Sequence, residues 1–145
     1  MSKHDILLLE NQLCFPIYAA SRVIIRHYQP YLDELNLTYP QYLVMMVLWE
    51  KSPLTVTEIG NRLFLNSNTL TPIIKKMIKK GFIEKTRDLD DERKVKITLT
   101  ENGLALQDKA QQVPVSLLNN INIPNEDLLK MREIMWKFLT DMVRV

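Results

Sequence analysis

The apolar pattern changes period at Gly81, and that change fixes most of what the middle of the chain can become. Ser67 to Lys80 carries helical spacing and stops at Gly81, the residue type that accepts the left-handed conformation at a helix C-terminus. Upstream, Thr55-Val56-Thr57-Glu58-Ile59-Gly60-Asn61-Arg62-Leu63 reads as a short helix, joined to the next by the tight connection Phe64-Leu65-Asn66. Downstream, Phe82 to Arg87 and Val95 to Thr100 read as two short strands around the charged run Asp88-Leu89-Asp90-Asp91-Glu92-Arg93-Lys94. Two helices, a tight turn and a hairpin with a polar tip make a winged helix-turn-helix.

The flanks read as helix. Leu9, Leu13, Ile17, Ala20 and Ile24 predict a first helix from about Asp5 to His27, with Pro16 bending its middle and Cys14 in its interior. Gln29-Pro30 reads as a break, followed by a short helical piece from Tyr31 to Leu35. Thr38-Tyr39-Pro40 is an N-cap with proline in the first turn, opening a helix through Trp49 that is apolar on nearly every face. Ser52-Pro53-Leu54 is expected to be a turn. Helix resumes near Thr100 or Glu101 and runs toward Asn119 with a kink at Pro114; after a break, a last helix carries Leu128, Met131, Met135, Phe138, Leu139, Met142 and Val143. These terminal stripes are broader than one small winged domain can cover, so a two-fold dimer through them is expected. The fold class is mainly α with a small β-hairpin wing. A single domain spans 1–145, with the winged portion over about 53–100 and dimerisation helices over about 1–35 and 101–145.

Composition excludes more than it assigns. A chain of 145 residues can bury a core without disulfides or structural metal, and its net charge of +2 is too small to announce a nucleic-acid partner. One cysteine cannot form an internal disulfide, and the start lacks an export signal, so a cytoplasmic protein is expected. Glu10, Asn11 and Gln12 interrupt the richest apolar stretch, leaving nothing near the ~20 residues needed to span a bilayer. His4 and His27 have no carboxylate or thiol at ligand spacing, so no metal and no cofactor are expected. The carboxylates of Asp90-Asp91-Glu92 read as a solvated loop tip, with Asp91 bracing Arg93.

Position therefore carries the argument for DNA. At the start of the second helix, Ser67, Asn68, Thr69 and Thr71 are short polar side chains suited to base edges and phosphates. Lys75, Lys76, Lys79 and Lys80 supply positive charge behind them. Arg93 at the wing tip suits a narrow minor groove, with Lys94, Lys85 and Arg87 along the sides. A helix cap and a solvated lysine face would explain each piece alone. Their order within one contiguous segment points to double-stranded DNA.

Asp91-Glu92-Arg93 followed by Ile97-Thr98-Leu99-Thr100-Glu101-Asn102-Gly103 resembles the wing signature of the MarR family of dimeric winged-helix repressors, and the resemblance extends over nearly the whole chain. Asn11-Gln12-Leu13-Cys14-Phe15, Leu37-Thr38-Tyr39-Pro40-Gln41-Tyr42 and Leu70-Thr71-Pro72 are similar to the organic-hydroperoxide-sensing, one-cysteine branch of that family. Asn66-Ser67-Asn68 stands where that branch commonly has Asp-Ser-Gly. The resemblance implies a homodimer on operator DNA, a regulator rather than an enzyme, in which Tyr28 and Tyr39 from the partner subunit hold a reactive Cys14 thiolate and Tyr18 lines the same pocket. It also implies organic hydroperoxide as oxidant, and a small cellular thiol as one partner of the oxidised cysteine.

By residue type alone, a lone cysteine on an apolar helix face is a small buried hydrophobe, and Tyr39 before Pro40 is plain core. In a helix interior neither a helix N-terminus nor an adjacent cation would stabilise the thiolate, which leaves phenol hydroxyls as the donors. Two other readings stand beside the thiol switch: a repressor released by a reversible phenolic ligand, and a thiol peroxidase. A purely structural partner protein would use the Met-rich terminal helices but leave the lysine-rich helix and the wing without a role.

Overall fold

Side-chain caps set the frame of the molecule. The computed structural model describes residues 2–91 and 93–143, and in it Thr38 and Thr55 each form a complete capping box, with Gln41 and Glu58 reaching back to the cap N–H. Asn66 and Thr100 cap through one side-chain oxygen each. Each cap supplies an acceptor to an N–H that the helix itself cannot satisfy, so the helices start where the sequence places these residues.

The elements in order are two 3-10 turns at Asp5–Leu7 and Leu9–Asn11, then α1 (Cys14–Asp33), α2 (Tyr39–Glu50), β1 (Leu54–Thr55), α3 (Val56–Leu63) and α4 (Ser67–Lys80). They continue as β2 (Ile83–Arg87), β3 (Val95–Leu99), α5 (Glu101–Ala110), α6 (Gln112–Asn119) and α7 (Asn125–Val143). The strands form an antiparallel sheet in the order β1-β3-β2, with Ile97 opposite both Leu54 and Lys85. The chain is thus mainly α with a small wing. The wing has a third strand where the sequence predicts the end of a turn at Leu54 and the start of a helix at Thr55: these two residues after Pro53 pair with β3.

The core lies where α2, α3, α4 and the sheet meet. Leu70, Ile74 and Met77 bury one face of α4 against Met45, Leu48, Ile59, Ile83 and Ile97. Gly103 marks a close approach, since a Cβ there would lie 2.0 Å from the Phe82 carbonyl oxygen, and its own carbonyl accepts the Trp49 indole N–H at 2.9 Å. That contact pins α5 to α2. The helix beyond breaks at Gln111, ahead of Pro114, because proline cannot supply the N–H that the Ala110 carbonyl would take.

The first helix departs from the sequence reading. Residues before Cys14 form 3-10 turns, held by Asn11 Nδ2 on the Asp5 carbonyl at 2.7 Å and Gln12 Nε2 on those of Ile6 and Leu8. Pro16 therefore stands in the first turn of α1, where the missing N–H is no loss, and it bends nothing. Pro30 lies inside α1 instead of breaking it. The helix carries on to bury Leu32 and ends at Asp33, so no separate piece from Tyr31 to Leu35 exists. Glu92, read as one of the tip carboxylates, lies outside the described residues, as do Met1, Arg144 and Val145.

Candidate functional site

One candidate surface is the outer face of α4 with the wing. Burial of Leu70, Ile74 and Met77 turns Ser67, Asn68, Thr71, Lys75, Lys76 and Lys79 outward. Not all of these side chains are equally free. The Thr69 hydroxyl donates to Asn66 Oδ1 at 3.1 Å and the Thr71 hydroxyl to the Ser67 carbonyl at 2.7 Å, so both donors are used within the helix start. Ser67 and Asn68 remain exposed at the tip of the helix. Lys80, counted with the positive face in the sequence, points the other way: its Nζ donates to the Asn36 carbonyl and to Gln41 Oε1, each at 2.8 Å.

The wing presents its cations around an internal brace. Arg93 and Lys94 are exposed, and with Lys96 they line a groove against the start of α3. Lys96 pairs with Asp88 at 3.4 Å. The Asp90 backbone N–H, and after it Lys96, hold the Asp88 carboxyl below its ordinary range. Asp91 accepts the backbone N–H of Arg93 at 3.0 Å, so it shapes the turn and leaves the guanidinium to project. The wing and α4 thus offer two separated sets of cations around exposed short polar groups, an arrangement that suits phosphates on either side of a read groove.

The second candidate centres on Cys14, which is exposed. It opens α1, contrary to the sequence reading of a mid-helix position, and no side chain caps that helix start. Tyr18 is one turn along, 60% exposed, with Arg22 5.6 Å over its ring. The other tyrosines gather elsewhere. Tyr28 meets Tyr39 at 5.0 Å between ring centroids and Tyr42 at 6.0 Å, with Tyr39 and Tyr42 6.3 Å apart.

Burial, then the neighbouring phenols, push Tyr28 up to about 12, and burial also raises Tyr39 and Tyr42. These hydroxyls remain protonated donors across neutral pH. Tyr42, buried in the core, was not singled out as a site residue; its signal was the i, i+3 spacing from Tyr39 on one helix. Within one chain Cys14 and Tyr28 share α1 about four turns and about 21 Å apart, so Cys14 and the tyrosine cluster do not meet.

Among the described residues no group of His, Cys, Asp and Glu is placed to hold a metal ion, and no helix is long and apolar enough to cross a membrane.

The chain is similar to known transcriptional regulators. Residues 26–110 match the model of the transcriptional regulator SarA/Rot family. Over 138 residues the chain is 45% identical to the organic hydroperoxide resistance transcriptional regulator of Bacillus subtilis, covering 95% of this chain and 94% of that one. The solved structure of reduced AbfR bound to DNA, a protein of Staphylococcus epidermidis, superposes with a TM-score of 0.79 at 34% identity, covering 98% of this chain and 99% of the other. A mutant Escherichia coli MarR complexed with operator DNA shares the fold at 20% identity and a TM-score of 0.78, over 96% and 99% of the two chains.

Proposed function

The chain belongs to the SarA/Rot family of MarR-like winged-helix transcriptional regulators, and from that premise we propose that it is a redox-sensing repressor. It holds double-stranded operator DNA while Cys14 is reduced and lets go when organic hydroperoxide oxidises that thiol. The observation that carries this reading is the exposed cysteine at the head of α1, the helix whose Tyr28 packs against the protonated phenols Tyr39 and Tyr42 of α2.

A second copy of the chain completes the site. Residues 14 and 28 are symmetric about Ser21, and Ala19, Ala20 and Ser21 are small enough to let two helices approach. Two copies of α1 crossing antiparallel at Ser21 set each Cys14 against Tyr28 of the partner subunit, at the interaxial distance of about 8–10 Å usual for packed helices. Tyr39 follows because it stacks on Tyr28. The same dimer covers the apolar faces of α1 and α7 and gives the two α4 helices the symmetry that a pseudo-palindromic operator needs. Ser67, Asn68, Thr69 and Thr71 meet base edges and nearby phosphates, Lys75 and Lys76 the backbone, and Arg93 and Lys94 the flanking groove.

In the oxidation, the Cys14 thiolate attacks the terminal oxygen of the hydroperoxide and the O–O bond breaks. The leaving alkoxide takes a proton to become an alcohol, and Cys14 becomes sulfenic acid. A small cellular thiol then condenses with it, releasing water and leaving a mixed disulfide. Bulk at the subunit contact and loss of the phenol donors reorient the winged halves and spoil their spacing on DNA. A peroxidase cycle would go one step further, a second small thiol reducing that mixed disulfide to return the Cys14 thiol, and with Cys14 the only cysteine both thiols would come from outside the chain.

The reading is tested by limiting hydroperoxide, following the protein's mass and DNA retention together. Release should track one added oxygen, or one added thiol, per chain. Tyr28→Phe should keep DNA binding and slow oxidation by about 10–150-fold, since a lost hydrogen bond to a charged acceptor is worth about 1.5–3 kcal/mol. Release without a mass change would favour the reversible-ligand reading instead.

A further inference from the structure

Lys80 closes the recognition helix but turns away from the face that its neighbours Lys75, Lys76 and Lys79 present. Its ammonium is held by the Asn36 carbonyl and Gln41 Oε1, at 2.8 Å each. Asn36 adopts a left-handed backbone, φ 56°, in the elbow between α1 and α2. Gln41 is 2% exposed, and its Oε1 also accepts the Thr38 N–H at 3.1 Å as part of the capping box that starts α2. Lys80 is thus plugged into the turn that aims α2, two residues from Tyr39 and against the elbow that brings Tyr39 onto Tyr28. Desolvation, and after it the charge of Lys76, hold its pKa below the ordinary lysine value, as befits an ammonium drawn in from solvent.

We propose that Lys80 is a positioning residue, not a phosphate contact: it fixes the C-terminal end of α4 to the α1–α2 elbow and carries movement of the tyrosines to the recognition helix. This rests on the thiol switch proposed above and names its path. A shift of Tyr28 and Tyr39 on oxidation displaces the start of α2, and with it both acceptors of Lys80. The α4 helix follows because its last turn is tied to that point rather than to solvent.

The experiment compares the parent with Lys80→Met, which keeps the stem and removes the ammonium. The reduced variant should bind operator with the parent's salt dependence, and Cys14 should be oxidised at the parent's rate by mass. The loss of affinity on oxidation should shrink by at least about fivefold, the lower end of ordinary coupling between sites. Gln41→Met, which takes away one of the two acceptors of Lys80 and the Thr38 cap bond with it, should give part of that loss of response, and the effects of the two variants should not add, because they share the Lys80–Gln41 contact. Gln41→Glu keeps the acceptor and should retain the parent's response. A salt slope reduced by about 1 in Lys80→Met would make Lys80 a phosphate contact and overturn the proposal. So would variants that leave DNA on oxidation as readily as the parent. A parent that stays on DNA after Cys14 is oxidised overturns the thiol switch and the relay together, which separates the two failures.

Discussion

The winged half and the terminal helices contain similar apolar residues and use them differently. In the winged half they are finished within one chain: Leu70, Ile74 and Met77 of α4 meet Ile59, Ile83 and Ile97 in a closed core. In α7 no residue is buried, and Met131 and Ile134 are 53% and 62% exposed; the 3-10 turns before α1 likewise bury nothing. Burial of apolar area contributes roughly 25 cal/mol per Å². A chain that leaves such faces open gains that term only by adding a second copy. The reader of DNA is therefore a self-contained unit, while the sensor depends on a surface that one chain leaves incomplete.

The sharpest way to break this contrast is to charge the open surface. Met131→Glu combined with Ile134→Glu, one turn apart on α7, should leave the winged half folded and yield monomers in analytical ultracentrifugation. Operator affinity should fall by about 10²–10⁴, the gain lost when two linked modules no longer engage together. A double variant that stays dimeric and binds normally would place the dimer contact elsewhere.

The converse change strikes the closed core. Ile74→Ala should destabilise the fold by about 2–5 kcal/mol in denaturant unfolding at fixed protein concentration, through lost burial and the cavity left behind. A cost under about 0.5 kcal/mol would mean that α4 is not anchored as described. A smaller effect is expected on the wing, where the guanidinium of Arg93 projects and its backbone is held by Asp91. Arg93→Ala should weaken operator binding by about tenfold, or about 1.4 kcal/mol, without changing stability. Unaltered binding at moderate salt would remove the wing from the interface.

The same contrast explains what the sequence could reveal. Helix α4 was legible to the residue, because Asn66 caps its start, Gly81 takes φ 82° at its end and the apolar face is consumed by its own chain. The hairpin was legible for the same reason. Strand β1 was not, since two residues after Pro53 carry no periodicity and are strand only because β3 lies beside them. The start of α1 was misplaced because Leu9 and Leu13 continue a helical spacing into 3-10 turns whose leucines remain exposed. Pro16 and Pro30 exchanged roles with it: a proline is harmless in a first turn, and buried Leu32 draws the helix past the other. The difference bears on the site, since Cys14 opens α1 and is exposed there instead of lying in a helix interior.

Of the candidate site, Tyr28 and Tyr39 were legible from the resemblance and do come together, whereas Tyr42 reads in sequence as one more core residue. Lys80 shows the opposite failure. A lysine ending a basic helix reads as solvent-facing, and only the elbow beside it supplies the acceptors that turn it inward.

One thiol, on the incomplete half of the molecule, is proposed to govern the finished half. That control is tested most directly by following operator release on hydroperoxide addition for the parent and for Cys14→Ser side by side. Both should bind operator equally when untreated, the parent should be released, and Cys14→Ser should stay bound. Release of Cys14→Ser by hydroperoxide would contradict it.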